Sequence, residues 1–389
     1  MKLLSIAVRG AIVAACFVAL SSCSEDLDTS GVCAVLCPPV GGNVKNITLD
    51  AAVFDTTVQS LSGLGTENAL LLASRGDTLD TRVIIRFDSL PTKFTAFGQD
   101  TSQTIASVDS AYIQLRLDTL SIKGTDPVTI EAYDVDTTAN DTSSAAVLAL
   151  FRPDRFISSQ TYSHAQLKDT LKVFLSNAAL LSKIQSSSRL RIGFRATTVS
   201  STQLQFTSAE AGLAPFLSFR PTPDTATKAL TVTPLSVTPA GESLTALHLG
   251  DYTLVAKAPP PGSPSDLDVG GLPARRVYIR FSIPDSIVDS ATVVRATLLL
   301  NQIPNTSLDP TDTVRITPHL VLAGKAVTDL GKASQITAEL SAEAVLVRPG
   351  DAGTVQVELA RAFNLWRGQD STLTPRAIVL TSLTEGVSP

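Results

Sequence analysis

Arg82-Val83-Ile84-Ile85-Arg86-Phe87 and Arg276-Val277-Tyr278-Ile279-Arg280-Phe281 are one pattern written twice in a 389-residue chain. In the first copy Val83, Ile85 and Phe87 fall on one side of an extended backbone, and Arg82 and Arg86 fall on the other. Period-two alternation with β-branched residues is the signature of a half-buried strand. A Pro follows each copy, at 91 and 284.

The duplication extends outward from this pair. Val108–Leu115 answers Val293–Leu300, and Val128-Thr129-Ile130 answers Val314-Arg315-Ile316. Leu171–Leu175 answers Val355–Leu359, and Arg191–Phe194 answers Arg376–Leu380. The order never changes, and the offset drifts only between about 184 and 194 residues. Five segments in a conserved order mark an internal repeat. Polar turns such as Lys123-Gly124-Thr125-Asp126-Pro127 separate them. Short strands with polar turns predict an all-β chain built as two tandem jelly-roll-like β-sandwiches.

Each unit has one helix-like exception, Ser176–Leu181 in the first and Ala360–Trp366 in the second. Ser334–Val347 reads equally as a helix or as two strands. The first unit spans 46–220, a Pro-rich linker spans 221–228, and the second unit spans 229–389. The first unit closes with Leu204-Gln205-Phe206 and Pro215–Phe219, which have no counterparts in the second. The second sandwich is therefore expected to lack its last strands. Its sheet then has an open edge, or the chain given is cut at Pro389; a cut is the preferred reading.

The N-terminus is of another kind. Lys2 and Arg9 precede the apolar run Ile12–Leu20. That run falls well short of the roughly 20 residues that span a bilayer. Leu20-Ser21-Ser22-Cys23 follows and resembles the bacterial lipobox. The resemblance implies a signal peptide over 1–22, a diacylglycerol on Cys23 and a tether over 23–45. Ser24 rather than Asp after the Cys implies an outer-membrane address, and the membrane is then a partner through the lipid. Cys33 and Cys37 form a disulfide candidate, with free thiols or a metal pair as the other readings.

Asp50-Ala51, the Arg82–Asp88 segment, Pro91 and Val108–Leu115 together resemble the DNRLRE-type domain. Trp366-Arg367-Gly368 and Ser208-Ala209-Glu210 are similar to further motifs of that family. The likeness runs over most of 46–220 and more loosely over 229–389. The first unit lacks the Trp, and the second lacks the initial Asp-Ala and the closing strands. The resemblance implies a surface β-sandwich, with polysaccharide as the expected ligand.

Chemistry is sparse. Removing residues 1–22 takes away Lys2 and Arg9 and no acid, so the formal charge goes from −5 to −7. An acidic chain without a basic cluster is a poor match to nucleic acid. Three histidines, His164, His248 and His319, are scattered, and His319 reads as a surface residue just past a strand. No HExxH, nucleophile elbow or phosphate-cradling Gly loop occurs, which argues against an enzyme.

Asp134 and Asp136 alternate near Asn140 and Asp141, a spacing that can hold a structural calcium. Solvated turn acids are the plainer account. Sugar stacking needs aromatics, which are 5% of the chain. Tyr133 and Tyr278 lie on predicted strands and are the exposed candidates, with Arg86 and Arg280 beside them for acidic sugars. Tyr112, Tyr162 and Tyr252 are the remaining tyrosines. The expected function is non-enzymatic binding or adhesion, to polysaccharide first. A structural envelope or matrix protein making protein contacts is the alternative, and a polysaccharide-degrading enzyme the third reading.

Overall fold

The computed structural model describes residues 45–385 apart from 61–64, 66, 97, 137–142, 223–228, 236–249, 259–262, 264, 306–307, 309–311, 341–343, 372 and 384. Cys23, Cys33, Cys37, the signal segment and His248 lie outside the described residues. Ala51 onward forms one compact unit.

In chain order the strands of the first repeat are β1 (Ala52–Gln59), β2 (Ala69–Arg75), β3 (Leu79–Phe87), β4 (Lys93–Thr95), β5 (Ser102–Thr104), β6 (Ser107–Arg116), β7 (Val128–Asp134), β8 (Phe156–Tyr162), β9 (Thr170–Phe174), β10 (Leu190–Thr197), β11 (Thr202–Thr207) and β12 (Phe216–Thr222). The second repeat supplies β13 (Leu230–Val232), β14 (Asp251–Lys257), β15 (Arg275–Phe281), β16 (Thr297–Gln302), β17 (Val314–Val321), β18 (Thr337–Glu339), β19 (Val345–Val347), β20 (Gly353–Glu358) and β21 (Ala377–Ser382). Among the described residues five short α-helices join them: α1 (Ser144–Leu148), α2 (Asn177–Gln185), α3 (Asp285–Val288), α4 (Leu330–Ala333) and α5 (Ala360–Trp366).

The all-β architecture is as the alternation requires. One sheet of the first half runs β11-β2-β3-β10-β7-β8, with β14 also on β3; the facing sheet runs β13-β12-β6-β9. Their inner faces meet in one core, where Val83, Ile85 and Phe87 from β3 join Ile113 and Leu115 from β6 and Phe194 from β10. Alternation thus places one side of each strand inside the sandwich. The second half repeats the plan with β1-β15-β21-β17-β18, β19 also on β17, facing the pair β16-β20. Its core holds Val277, Ile279, Phe281, Val357 and the single tryptophan, Trp366.

All five duplicated segments become strands in equivalent positions, and α2 and α5 both follow the strand the sequence placed before them. The ambiguous Ser334–Val347 stretch resolves into β18 and β19, which pair successive parts of β17. Pro318 sits where β17 changes partner, so its missing N–H breaks no ladder there.

The pairing crosses the boundary read at 221–228. β1, from the first repeat, pairs antiparallel with β15 of the second over Ala52–Gln59. β14, from the second repeat, pairs antiparallel with β3 of the first. β13 likewise extends the first half through β12. Pro221 and Thr222, read as linker, complete β12 opposite Val108 and Ser107. The two halves therefore exchange strands. Burial says why β14 stays: Tyr252 and Leu254 are 1% exposed against Ile84, Tyr133 and Val147.

A second layer lies outside each main sheet. Val147 of α1, with Leu148, Leu150 and Phe151, covers Ile84 and Tyr133. Ala333 and Leu330 of α4 cover Tyr278 and Val379 in the second half. Both helices follow the same strand of the repeat, β7 or β17. Ser143 caps α1 and Asp329 caps α4 through their side chains.

Candidate functional site: the outer face of the four-stranded sheet

The expected ligand residues are dispersed, and most are buried. Tyr133 is 7% exposed, its ring against Phe151 and Phe156 and its hydroxyl donating to Glu131 at 2.9 Å. Burial, then Glu131, raises its pKa above the ordinary phenol value. Tyr278 is 4% exposed in the layer under α4. Neither is the open platform expected, because the helical layers cover the faces that single-strand alternation left open.

Arg86 is 3% exposed, and its guanidinium meets Asp88 at 2.8 Å. Asp88 also faces Arg191 at 3.5 Å, so Arg86 is an internal ion-pair partner rather than a surface contact. Arg280 is exposed and lies over the Phe54 ring, 5.4 Å from its centroid. The two equivalent arginines differ because only the first has a buried acid two residues on; Ser282 stands in that place in the second repeat.

Asp134 and Asp136 are answered by the chain's own cations. Lys183 lies 2.9 Å from Asp134 and 3.4 Å from Asp136. Arg189 lies 3.2 Å from Asp136, and the buried Arg191 lies 3.6 Å from it. A calcium there would have to displace the lysine. Among the described residues, no group of three or more His, Cys, Asp or Glu is placed to hold a metal. His319 lies inside β17 rather than past its end, and it is half-buried opposite Glu339. Burial lowers its pKa, while Glu339 opposes that shift.

The outer side of β13-β12-β6-β9 gathers three rings from three strands, whereas the exposed Phe54 and Phe156 each lie on another face. Ile113 and Leu115 point into the core, so Tyr112 and Gln114 point out. Leu171, Val173 and Leu175 point inward from β9 and its end, so Lys172 and Phe174 point out. Leu217 and Phe219 do the same for β12 and leave Phe216 outside. The register aligns these residues in rows across the strands. One row is Thr231, Ser218, Tyr112 and Phe174; the next is Phe216, Gln114 and Lys172.

The cluster is tight. The Tyr112 and Phe174 rings meet edge to face with centroids 5.8 Å apart. The Lys172 ammonium sits 4.7 Å from the centre of the Tyr112 ring, a cation–π contact. Phe174 remains 51% exposed. Side chains from β8 hold the free edge of β9. Ser158 Oγ donates to the Phe174 carbonyl at 2.7 Å, and the Tyr162 hydroxyl donates to the Lys172 carbonyl at 2.7 Å. Burial pushes Tyr162 up to about 12, so it remains a donor across the physiological range. These bonds satisfy edge carbonyls and fix the backbone that carries Lys172 and Phe174.

The equivalent face of the second half has no ring: β16 offers Thr297, Leu299 and Asn301, and β20 offers Thr354, Gln356 and Glu358. Alternation along Leu171–Leu175 puts Lys172 and Phe174 on one side of β9. Their meeting with Tyr112 and Phe216 depended on strand order. No protein-family model matches this chain, and no curated protein matches it.

Proposed function

We propose that this chain is a non-enzymatic surface protein, lipid-anchored at Cys23 outside the cytoplasm, that binds polysaccharide across the outer face of the first sandwich. The observation that carries the reading is the exposed Phe174 and Tyr112 pair beside Lys172, on a backbone clamped from β8. Aromatic rings supply apolar faces for the C–H surfaces of sugars, at low entropic cost because they have few rotors. Lys172 and the exposed Arg220 on the same side favour acidic sugars. The rigid sheet suits binding, since a rigid element holds contact geometry better than a loop. The lipobox and the resemblance to DNRLRE-type domains support a cell-surface setting, with the outer membrane as the address.

The test is retention of the mature chain on insoluble and acidic polysaccharides. Retention lost in Phe174→Ala and in Lys172→Ala, with both variants still melting cooperatively, is the expected result. Equal retention of wild type and both variants would place the site elsewhere. No retention on any polymer would move the function to the structural reading, a protein of the cell envelope or matrix.

A further inference from the structure

β14 comes from the second repeat and is lodged in the first half, and the two ends of the strand are held by different chemistry. β2 and β3 are laddered only where Ala73–Arg75 meet Leu79–Thr81. Beyond that point β14 takes the place beside β3, from Asp251 opposite Ile85 to Lys257 opposite Asp80. The middle and far end are fastened by ordinary contacts. Thr253 Oγ1 accepts from the Leu71 N–H at 2.9 Å, and Lys257 meets Asp77 at 2.6 Å. The leading end rests on Asp251. Its Oδ2 accepts from the Ala209 N–H at 2.9 Å, in the turn after β11, while the neighbouring Gly250 carbonyl accepts from the Arg86 N–H at 2.7 Å.

The other oxygen of Asp251 has no such support. The residue is 1% exposed, and among the described residues Oδ1 has no hydrogen-bond donor. The charged groups that face it are both acids: Glu210, from the turn after β11 and within hydrogen-bonding reach, and Glu67, from the segment before β2. β3 brings no compensating charge, because the Arg86 guanidinium lies against Asp88. Lys257, on β14 itself, is at the far end with Asp77. Two carboxylates in contact, one of them out of water, ionise together only at a cost. A proton held between them turns the repulsion into a hydrogen bond and supplies the donor that Oδ1 lacks.

We propose that the Asp251–Glu210 carboxyl pair is a proton-operated latch on the leading end of β14. The shared proton holds Gly250–Tyr252 against β3 and the turn after β11; its loss frees that end while the sandwich stays folded. Opening lifts the edge of the outer layer, where Tyr252 packs on Ile84, Tyr133 and Val147. The direction follows from the closed state. Burial, then Glu210, pushes Asp251 up to about 7, whereas a freed strand end returns it to the ordinary carboxylate value. The protonated form is therefore the one that closing favours. The latch is tight below about pH 4, loosens as pH rises to about 7, and loosens no further above it. The gap between the two values caps the change in the opening equilibrium at about a thousandfold. The latch belongs to the seven-stranded sheet, so it is independent of the polysaccharide face on the sheet opposite.

Hydrogen exchange of the full chain, read by mass spectrometry at pH 4 and pH 8 and corrected for the intrinsic exchange rate, tests the latch. Protection of the peptides that hold Arg86, Ala209 and Tyr252 is expected to be at least tenfold greater at pH 4, with β6 and β9 unchanged. Asp251→Asn carries no charge at either pH and still accepts from the Ala209 N–H; it is expected to lose the difference and stay protected. Glu210→Gln, at an exposed position, gives Asp251 a permanent donor and is expected to shrink the difference. Equal protection at both pH values in wild type, or a full difference in Asp251→Asn, would overturn the proposal. Should Asp251→Asn fail to melt cooperatively, an undiminished difference in Glu210→Gln would be the refuting result. Loss of protection across the whole first half at pH 8 would also overturn it, because the pair would then govern global unfolding rather than one strand end.

Discussion

Phe194→Ala, deep in the first sandwich, is expected to move the unfolding of the second. Phe194 has no exposure, and its ring packs only within the first core. Removing a buried phenylalanine ring costs about 3–5 kcal/mol. Were the halves independent, that loss would stay in the first. The exchange of β1 and β14 makes this untenable, because the first repeat completes a sheet of the second half and the second repeat completes one of the first. Lys123 and Asp312 add an ion pair between the repeats at 2.6 Å. Trp366, 2% exposed in the second core and the sole tryptophan, reports on the second half alone. With a guanidinium slope of about 5 kcal/mol per molar, the loss corresponds to a midpoint shift of roughly 0.6–1 M. The assay is equilibrium denaturation followed by Trp366 fluorescence and by far-ultraviolet circular dichroism. Coincident curves, both shifted, are expected. A Trp366 midpoint that stays in place while dichroism shows an earlier separate phase would refute the coupling.

The same exchange predicts that residues 45–258 give a folded first sandwich while 45–222 do not, since the shorter piece lacks β13 and β14 and uncovers Ile84 and Tyr133; dispersion of the proton NMR spectrum decides. Asp251, at the start of β14, is 1% exposed; burial, then Glu210, pushes it up to about 7, against the Ala209 N–H that its carboxylate accepts at 2.9 Å. A raised pKa means that the protonated form is the stabilised one, so its contribution is full below about pH 4 and lost as pH rises through 7. Asp251→Asn should therefore raise the melting temperature at pH 8 and not at pH 4, flattening the profile by up to a few kcal/mol; an unchanged profile would contradict this. Asp136→Ala should destabilise by about 1–3 kcal/mol, since it removes one of the two acids facing the buried Arg191 and leaves Asp88, whereas EDTA should leave wild-type melting where it was; a chelator-induced drop would instead point to calcium at Asp134 and Asp136. Phe174→Ala should cost about 1–2 kcal/mol, because half of its ring is buried and it meets Tyr112 edge to face; calorimetry reads the loss.

The duplicated alternation that starts from Arg82–Phe87 and Arg276–Phe281 was enough to mark five pairs of equivalent strands and the all-β class. Period two is a local property of extended backbone, and the buried residues must carry it themselves. The helical turns after β9 and β20 were legible as the places where that period breaks, at Ser176–Leu181 and Ala360–Trp366. Tertiary structure decided which strand lies beside which. β14 carries no period-two pattern, its first four residues all being buried, and the packing of Tyr252 and Leu254 against Ile84 and Tyr133 fixes it on the first half. It also decided which outer faces stay open. Tyr133 and Tyr278 look exposed in a lone strand, yet α1 and α4 cover them from a distance in sequence that alternation cannot register. Tyr112, Phe174 and Phe216, on three different strands, become one surface only when the sheet order brings them into neighbouring rows.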